Sequence, residues 1–375
     1  MKLIYENKTG NEFRPKLKSG ATAVSLNSDA IFVGHFRHGI EISGAHVSLI
    51  NAMNGRRSIS QLAQYTGEPE EKVSDLVEIL LENCLIDVHW PKLLIEGRYQ
   101  SSIPSRPTHD GDFSEDGAVK ELSKRLNPEL AQASWRGKCT DGGRNLISNR
   151  QGFLINIHGN FHIGIELLAC LQRSGFARTE LIYDAGERIN SADLISNQIS
   201  HQDFGLTKKN VTERVIRQSR VLGPMPQYEI PNFELNIAIG KVKNSDLQSW
   251  VSENKAHLIV RLGLGPNPII GPLVLPGMTP CFNCVSITEE ESSLIWQGLH
   301  FADQIENESR LTSSTISWLS SYLALAITQF ADSKMSSLLG GAVIVDPNNP
   351  FELQTLRYPR HPNCGCAWNT LSSAH

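Results

Sequence analysis

The sequence predicts an α/β protein of two modules, a small winged helix followed by a Rossmann-type α/β domain. Three observations carry that reading. Residues 30–88 run strand, strand, helix, helix, helix, strand by their apolar periodicity. Residues 152–184 read as a buried strand, a glycine-bounded turn, an amphipathic helix and a second strand ending in an acid, the first βαβ of a dinucleotide-binding fold. Two tight cysteine pairs, Cys281 with Cys284 (C-F-N-C) and Cys364 with Cys366 (H-P-N-C-G-C), lie far apart in the chain and each has the spacing of metal ligands.

A chain of 375 residues exceeds what one compact core accommodates, so at least two domains are expected. A formal charge of −4 gives no hint of a nucleic-acid or membrane partner. The start, M-K-L-I-Y-E-N-K-T-G, has no sustained apolar stretch and does not read as a signal peptide. No window approaches the length of apolar run that spans a bilayer. Seven cysteines, three of them scattered (Cys84, Cys139, Cys170), fit a reducing, cytoplasmic compartment better than a disulfide framework. Residues 97–117 are rich in Gly, Pro, Ser and charge, and read as a linker between a first module at 1–96 and a second at 118–375.

In the first module, A-I-F-V-G-H-F (30–36) and H-G-I-E-I-S-G (38–44) alternate as two strands joined by a short turn. A helix over 45–53 stops at Asn54-Gly55. Ser58 caps a second helix with Ile59, Leu62 and Ala63 on its apolar face, ending near Gly67. Pro69 opens a third, whose apolar face is Val73, Leu76, Val77, Ile79, Leu80 and Leu81. A strand at 85–88 completes the order of a winged helix. Such modules commonly bind DNA, but this third helix sets Glu70, Glu71, Asp75, Glu78 and Glu82 against a single Lys72, and phosphates would be repelled. The strand at 39–43 instead offers an edge beside that helix, suited to an added peptide strand.

The stretch D-A-I-F-V-G-H-F-R-H-G-I-E-I-S-G-A-H-V-S-L-I-N-A-M-N-G-R-R-S-I-S-Q-L-A resembles the PqqD-like family of peptide-recognition elements. The resemblance implies that a leader peptide is held as an extra strand between the edge strand and the third helix. By position, Ile40 and Ile42 on the strand and Val73, Val77 and Leu80 on the helix are the candidate peptide contacts.

In the second module, Gly159 and Gly164 keep the outer places of G-x-G-x-x-G, and Asp184 stands where a ribose-binding acid is expected. Phe161 takes the central glycine's place, and a side chain there obstructs the backbone's approach to a pyrophosphate. The βαβ start together with C-x-x-C…C-x-C resembles the ThiF-like, ubiquitin-activating-enzyme-like family, whose members adenylate a carboxyl terminus with ATP and magnesium. That family follows the ribose acid with a second acid and S-N-L-x-R-Q; here Gly186 replaces the second acid, Asp193 lies near the asparagine position and no arginine precedes Gln198. D-F-G-L-T-K-K (203–209) still resembles the family's D-x-G-x-x-K, and Lys208 or Lys209 reads as a solvated surface lysine, with a remnant phosphate contact as the alternative. The nucleotide site is expected to be degenerate, and no catalytic residue is assigned.

The four cysteines read as one closed tetrahedral Zn2+ site, since four thiolates leave zinc no position for water or substrate. Two disulfides, unrelated core cysteines, or His361 in place of one thiolate are the alternatives. L-V-L-P-G-M-T-P-C-F-N-C and R-H-P-N-C-G-C-A-W resemble one branch of the ThiF-like family, the leader-peptide-binding partner proteins (cyclodehydratase C proteins) of azoline-forming YcaO enzymes. This resemblance implies a role in the biosynthesis of ribosomal peptides such as bacteriocins. The chain would bind a precursor's leader and dock to a YcaO-type subunit that makes thiazoline or oxazoline rings, and would pair as a homodimer through the ThiF-like domain. The competing expectation is an ATP-dependent enzyme that adenylates a peptide or sulfur-carrier C-terminus. Two stretches stay open, W-x-G-L-H (296–300) and the apolar 316–330, read as core helix or partner interface.

Overall fold

The computed structural model describes residues 13–28, 30–44, 47–88, 115–137, 139–184, 186–222, 230–262, 267–292, 311–349 and 352–366. They belong to two compact units, residues 1–95 with 112–149, and residues 96–111 with 150–375. Most of the expected linker and the stretch 296–300 lie outside the described residues.

The first unit contains β1 (Lys16–Leu17), β2 (Thr22–Ser25), β3 (Ala30–His35), β4 (His38–Ser43), α1 (Val47–Ala52), α2 (Ile59–Thr66), α3 (Glu70–Glu82), β5 (Ile86–Asp87), α4 (Glu115–Ser134) and α5 (Arg144–Gln151). The hairpin and three helices fall where periodicity puts them, and Ser58 caps α2 in a reciprocal box with Gln61. Three differences appear. A strand that the pattern misses, β2, makes the hairpin a three-stranded sheet ordered β2-β3-β4, and β5 pairs with β1 rather than with that sheet. Two-residue and four-residue strands are too short to carry an alternation signal. Ile79, counted with the apolar face of α3, is 41% exposed.

The third difference concerns residues 112–149, which composition leaves with the second module and which cluster with the first. The last residues of the expected linker, 115–117, already begin α4. Lys18 shows what draws this segment in. Its buried ammonium donates to the carbonyl oxygens of Ser134, at the C-terminal end of α4, and of Cys139 (2.6 Å). A cation at a helix C-terminus meets the free carbonyls and the negative end of the helix dipole. The Val88 N–H donates to the Thr140 carbonyl at 2.8 Å, a second tie.

The second unit contains β6 (Phe153–Gly159), α6 (Phe161–Arg173), β7 (Arg178–Ile182), α7 (Lys208–Ser219), β8 (Phe233–Ile239), α8 (Asn244–Ser252), β9 (Ala256–Arg261), β10 (Ile269–Val274), α9 (Phe282–Ser292), α10 (Ser313–Ser333), β11 (Gly341–Ile344) and β12 (Gln354–Arg357). Its mixed sheet is ordered β12-β11-β10-β9-β8-β6-β7. β7, β6, β8 and β9 are parallel, while β10, β11 and β12 run antiparallel. Along β6, Phe153, Ile155 and Ile157 enter the main core and Leu154, Asn156 and His158 turn to the other face. α6 is apolar nearly all round because it lies between that core and α10. The stretch 316–330 is therefore core on one side of α10 (Ile316, Leu319, Leu323, Ile327, Phe330), with Leu325 exposed on the other. Among the described residues no helix is long and apolar enough to cross a membrane.

On the far face of the sheet, Trp250 of α8 lies against His158 (4.9 Å between centroids) and His257 (5.8 Å). The His257 Nδ1–H donates to the Lys255 carbonyl at 3.0 Å, and the Nε2 atoms of both histidines are buried without a hydrogen-bond partner. Burial holds both imidazoles below their ordinary pKa, so they are neutral in the fold. The unfolded chain takes up these protons near pH 6.5 and the folded chain only lower, so stability is complete above that pH and falls as pH drops below it. Melting temperatures measured between pH 7.5 and 5 at constant salt are expected to decline, and His257→Leu is expected to flatten the decline. An unchanged slope in that variant would show that other groups set it.

Candidate functional site

The residues that mark the degenerate nucleotide site, Gly159, Gly164 and Asp184, lie at or beyond the ends of β6 and β7, and local packing or turns account for them. Gly159 has φ +97°, and a Cβ there would lie 2.1 Å from the Ile239 carbonyl oxygen. A Cβ on Gly164 would lie 2.5 Å from Leu181 Cδ1. Strand packing thus requires Gly159 with or without a ligand, and at Gly164 a side chain would have to displace Leu181. Asn160 caps α6 itself, its side-chain oxygen accepting the Ile163 N–H at 3.0 Å. The helix N-terminus, where a pyrophosphate binds in nucleotide-binding relatives of this topology, already has its own acceptor.

Phe161 is buried against Tyr183, 5.3 Å between ring centroids. The Lys208 ammonium sits 4.7 Å above the Phe161 ring and 2.8 Å from Glu187 Oε2. Lys208 is buried, contrary to the surface reading, because capping by Thr207 starts α7 at this residue and turns it inward. Lys209 does stay exposed, 4.0 Å from Glu213. Asp184 lies two residues beyond β7, exposed, its carboxylate accepting the Gly186 N–H at 3.0 Å in a local turn. Asp193 is buried, accepting from His162 Nε2 (2.8 Å) and from the Asn190 N–H (2.8 Å). The His162–Asp193 pair was not anticipated. Its only local signal is the N-x-x-D cap spacing of Asn190 and Asp193.

Folding brings the two cysteine pairs together. Cys281 and Cys284 flank the start of α9, and Cys364 and Cys366 lie at a 3-10 turn after β12. The Sγ–Sγ distances are 3.8 Å for 281–284, 3.3 Å for 281–364 and 3.3 Å for 284–366, with all four sulfurs within 4.8 Å of one another. A disulfide needs about 2.05 Å. A tetrahedron of thiolates at about 2.3 Å from zinc has edges of about 3.8 Å, which these spacings approach. Burial, then the neighbouring sulfurs, pushes the Cys366 thiol up to about 11 and raises Cys364, while at Cys284 burial is outweighed by hydrogen bonds to its sulfur, which lower it; thiolates on Cys364 and Cys366 would need a compensating cation. His361 is committed elsewhere: Nδ1 accepts the Asn363 N–H at 3.2 Å and Nε2 lies 3.0 Å from Glu291.

In the first unit β4 is an edge of its sheet, and the His38 Nε2–H donates to the Asn83 carbonyl at 2.8 Å, setting the head of β4 at the C-terminal end of α3. Val73, Val77 and Leu80 have no exposed surface and Ile42 little, all within the core of the unit; Ile40 is half-buried. Of the residues expected at a peptide groove, the helical ones lie wholly in the core of the unit, and Ile79 is the apolar side chain of α3 left in the open.

The fold is similar to that of MccB from E. coli. MccB solved with AMPCPP and MccA superposes with a TM-score of 0.63 at 14% identity, covering 94% of this chain and 99% of that one. The microcin C7 biosynthetic enzyme MccB in complex with N-formylated MccA gives 0.62 at 14% identity over the same shares. The heterocyclase TruD gives 0.54 at 12% identity, covering 95% of this chain and 43% of TruD. No protein-family model matches the chain, and no curated protein matches it. These likenesses agree with the mixed α/β architecture expected from the βαβ motif.

Proposed function

We propose that this chain is a substrate-recognition and scaffolding subunit. It binds the leader of a ribosomal precursor peptide and presents the core to a YcaO-type, ATP-dependent cyclodehydratase that forms thiazoline or oxazoline rings. The observation that carries the reading is the occupied start of α6, where Asn160 caps the helix and Phe161 and Glu187 take up the Lys208 cation. An adenylating enzyme depends on charges aimed at the triphosphate, and here they face one another. In this reading the first module, 1–96, is a PqqD-like winged helix whose groove between β4 and α3 holds the leader, with Ile40 and Ile42 at the strand and Val73, Val77 and Leu80 beneath. Clamping the leader raises the effective concentration of the core peptide at the partner's active site.

The second module contributes the scaffold. Cys281, Cys284, Cys364 and Cys366 would hold a structural Zn2+ with no open position, and the module would pair with a second copy and carry the cyclodehydratase. TruD is a heterocyclase, of which this chain covers 43%.

A second reading, adenylation of a peptide C-terminus, is favoured by MccB having been solved with ATP and with AMPCPP. Calorimetric titration of the full chain with ATP and magnesium decides between the two. No heat of binding is expected, and micromolar affinity would put the enzyme reading first.

A further inference from the structure

In the cysteine cluster the sulfurs are nearer across the two segments than within the first. Cys281 lies 3.3 Å from Cys364 and Cys284 lies 3.3 Å from Cys366, whereas Cys281 and Cys284, three residues apart, are separated by 3.8 Å. A zinc–thiolate tetrahedron has edges of about 3.8 Å, and a disulfide measures about 2.05 Å. The two crossed pairs are therefore already drawn in toward bonding, each joining positions 83 or 82 apart in the chain.

The members of each crossed pair differ in access. Cys281 and Cys284 are buried, while Cys364 and Cys366 are partly exposed on either side of Gly365, whose φ of +73° turns the chain between them. An oxidant from solvent meets Cys364 or Cys366 first, and each has a buried sulfur directly behind it. An accessible thiolate with a resolving cysteine beside it is the arrangement that favours reversible oxidation over further oxygenation. The segment after β12 is held by more than sulfur. The Tyr358 hydroxyl donates to Glu289 of α9, whose carboxylate also accepts from Arg261 at 2.7 and 2.9 Å, and His361 Nε2 lies 3.0 Å from Glu291. These contacts keep the segment near α9 while the thiolates react.

Building on the structural-zinc reading above, we propose that the cluster is a redox-exchangeable clasp. Hydrogen peroxide converts it to the disulfides Cys281–Cys364 and Cys284–Cys366 and frees the metal, leaving the segment after β12 fastened to α9 by covalent bonds. The Cys366 thiolate attacks a peroxide oxygen; an S–O bond forms, the O–O bond breaks and hydroxide leaves. The Cys284 thiolate then attacks the Cys366 sulfur; the S–S bond forms, the S–O bond breaks and a second hydroxide leaves. Cys364 and Cys281 repeat both steps with a second peroxide. Four thiolates lose four electrons, two peroxides take them up as four hydroxides, and Zn2+ is left without ligands. Dithiol reductants reverse both bonds, as the reducing compartment expected from the cysteine usage would.

The test uses the full chain, purified under reductant, its zinc content measured, then desalted and given peroxide one equivalent at a time. A chromogenic chelator reads the zinc released, and peptide mapping without reduction reads the bonds. Complete release is expected near two equivalents, with Cys281–Cys364 and Cys284–Cys366 mapped and Cys84, Cys139 and Cys170 still free. In Cys364→Ser only Cys284–Cys366 is expected. The oxidised chain is expected to melt about 5 °C or more above the reduced chain stripped of zinc by a chelator. A Cys281–Cys284 bond, bonds between chains, or sulfinic acids in place of disulfides would overturn the clasp. So would zinc retained at about ten equivalents of peroxide, or an oxidised chain no more stable than the stripped one. A reduced chain that carries no zinc before peroxide would overturn the structural-zinc reading itself, and the exchange with it.

Discussion

Replacement of Cys284 by serine is expected to abolish zinc binding and to lower the melting temperature by about 10 °C or more. The four sulfurs join the start of α9 to the segment after β12, beside the Tyr358–Glu289 and His361–Glu291 contacts, and the apolar cluster around them is small: Val274, with Val251 partly buried against it. Small clusters of this size cannot by themselves offset the chain entropy of a closing segment. A metal does, since a structural zinc site contributes its binding energy directly to folding, about 10–16 kcal/mol in zinc-finger peptides. In a unit that also has a large sheet core only part of that should appear as global stability, with the rest lost as local opening of residues 358–366. Metal analysis of the purified protein should find one zinc per chain, and near none in the variant. Thiol titration of the denatured, metal-free wild type should count seven free thiols. Three free thiols and no zinc would establish a pair of disulfides instead.

Asp332→Ala is expected to destabilise the second unit by about 3–5 kcal/mol. Arg150 and Asp332 are both fully buried and meet side-on, with Nε to Oδ1 at 2.8 Å and NH2 to Oδ2 at 2.6 Å; NH1 donates to the Ser174 carbonyl at 2.6 Å. Removing the carboxylate leaves a buried guanidinium that cannot lose its proton. The pair itself is less valuable than that cost suggests, because both ions were desolvated to form it. Arg150→Met with Asp332→Leu is accordingly expected to lie within about 1–2 kcal/mol of the wild type. Urea denaturation of the two single variants and the double variant supplies the cycle. Equal losses in the double and in Asp332→Ala would mean that lost packing, and not the stranded charge, carries the effect.

The legibility of this chain depended on how local each signal was. The capping box at Ser58 and Gln61, the alternation of β6 and the C-x-x-C and C-x-C spacings are read within a few residues. Phe161 was readable as an obstruction because a Cβ at that place conflicts with a phosphate whatever surrounds it. Its consequence was not readable. Lys208 is 47 positions away, and only the packing of α7 shows that its ammonium rests on the Phe161 ring instead of in solvent. Ile79 belongs to the apolar series of α3 by spacing, yet the helix turns it outward, since a helix face has a width and periodicity alone does not locate its border.

What the sequence by itself determined is the α/β class, the order of elements from β3 to α3 and in the first βαβ of the second unit, and the metal-ligand spacing of the four cysteines, all set by short-range spacing and residue type. What only the tertiary structure decided is which distant groups neutralise one another. The Lys208–Phe161–Glu187 contact, the His162–Asp193 pair, the Arg150–Asp332 pair and the adherence of residues 112–149 to the first unit through Lys18 all belong to this set. Each couples positions tens of residues apart or more, and a charge or a carbonyl in isolation carries no mark of the partner that burial will require it to find.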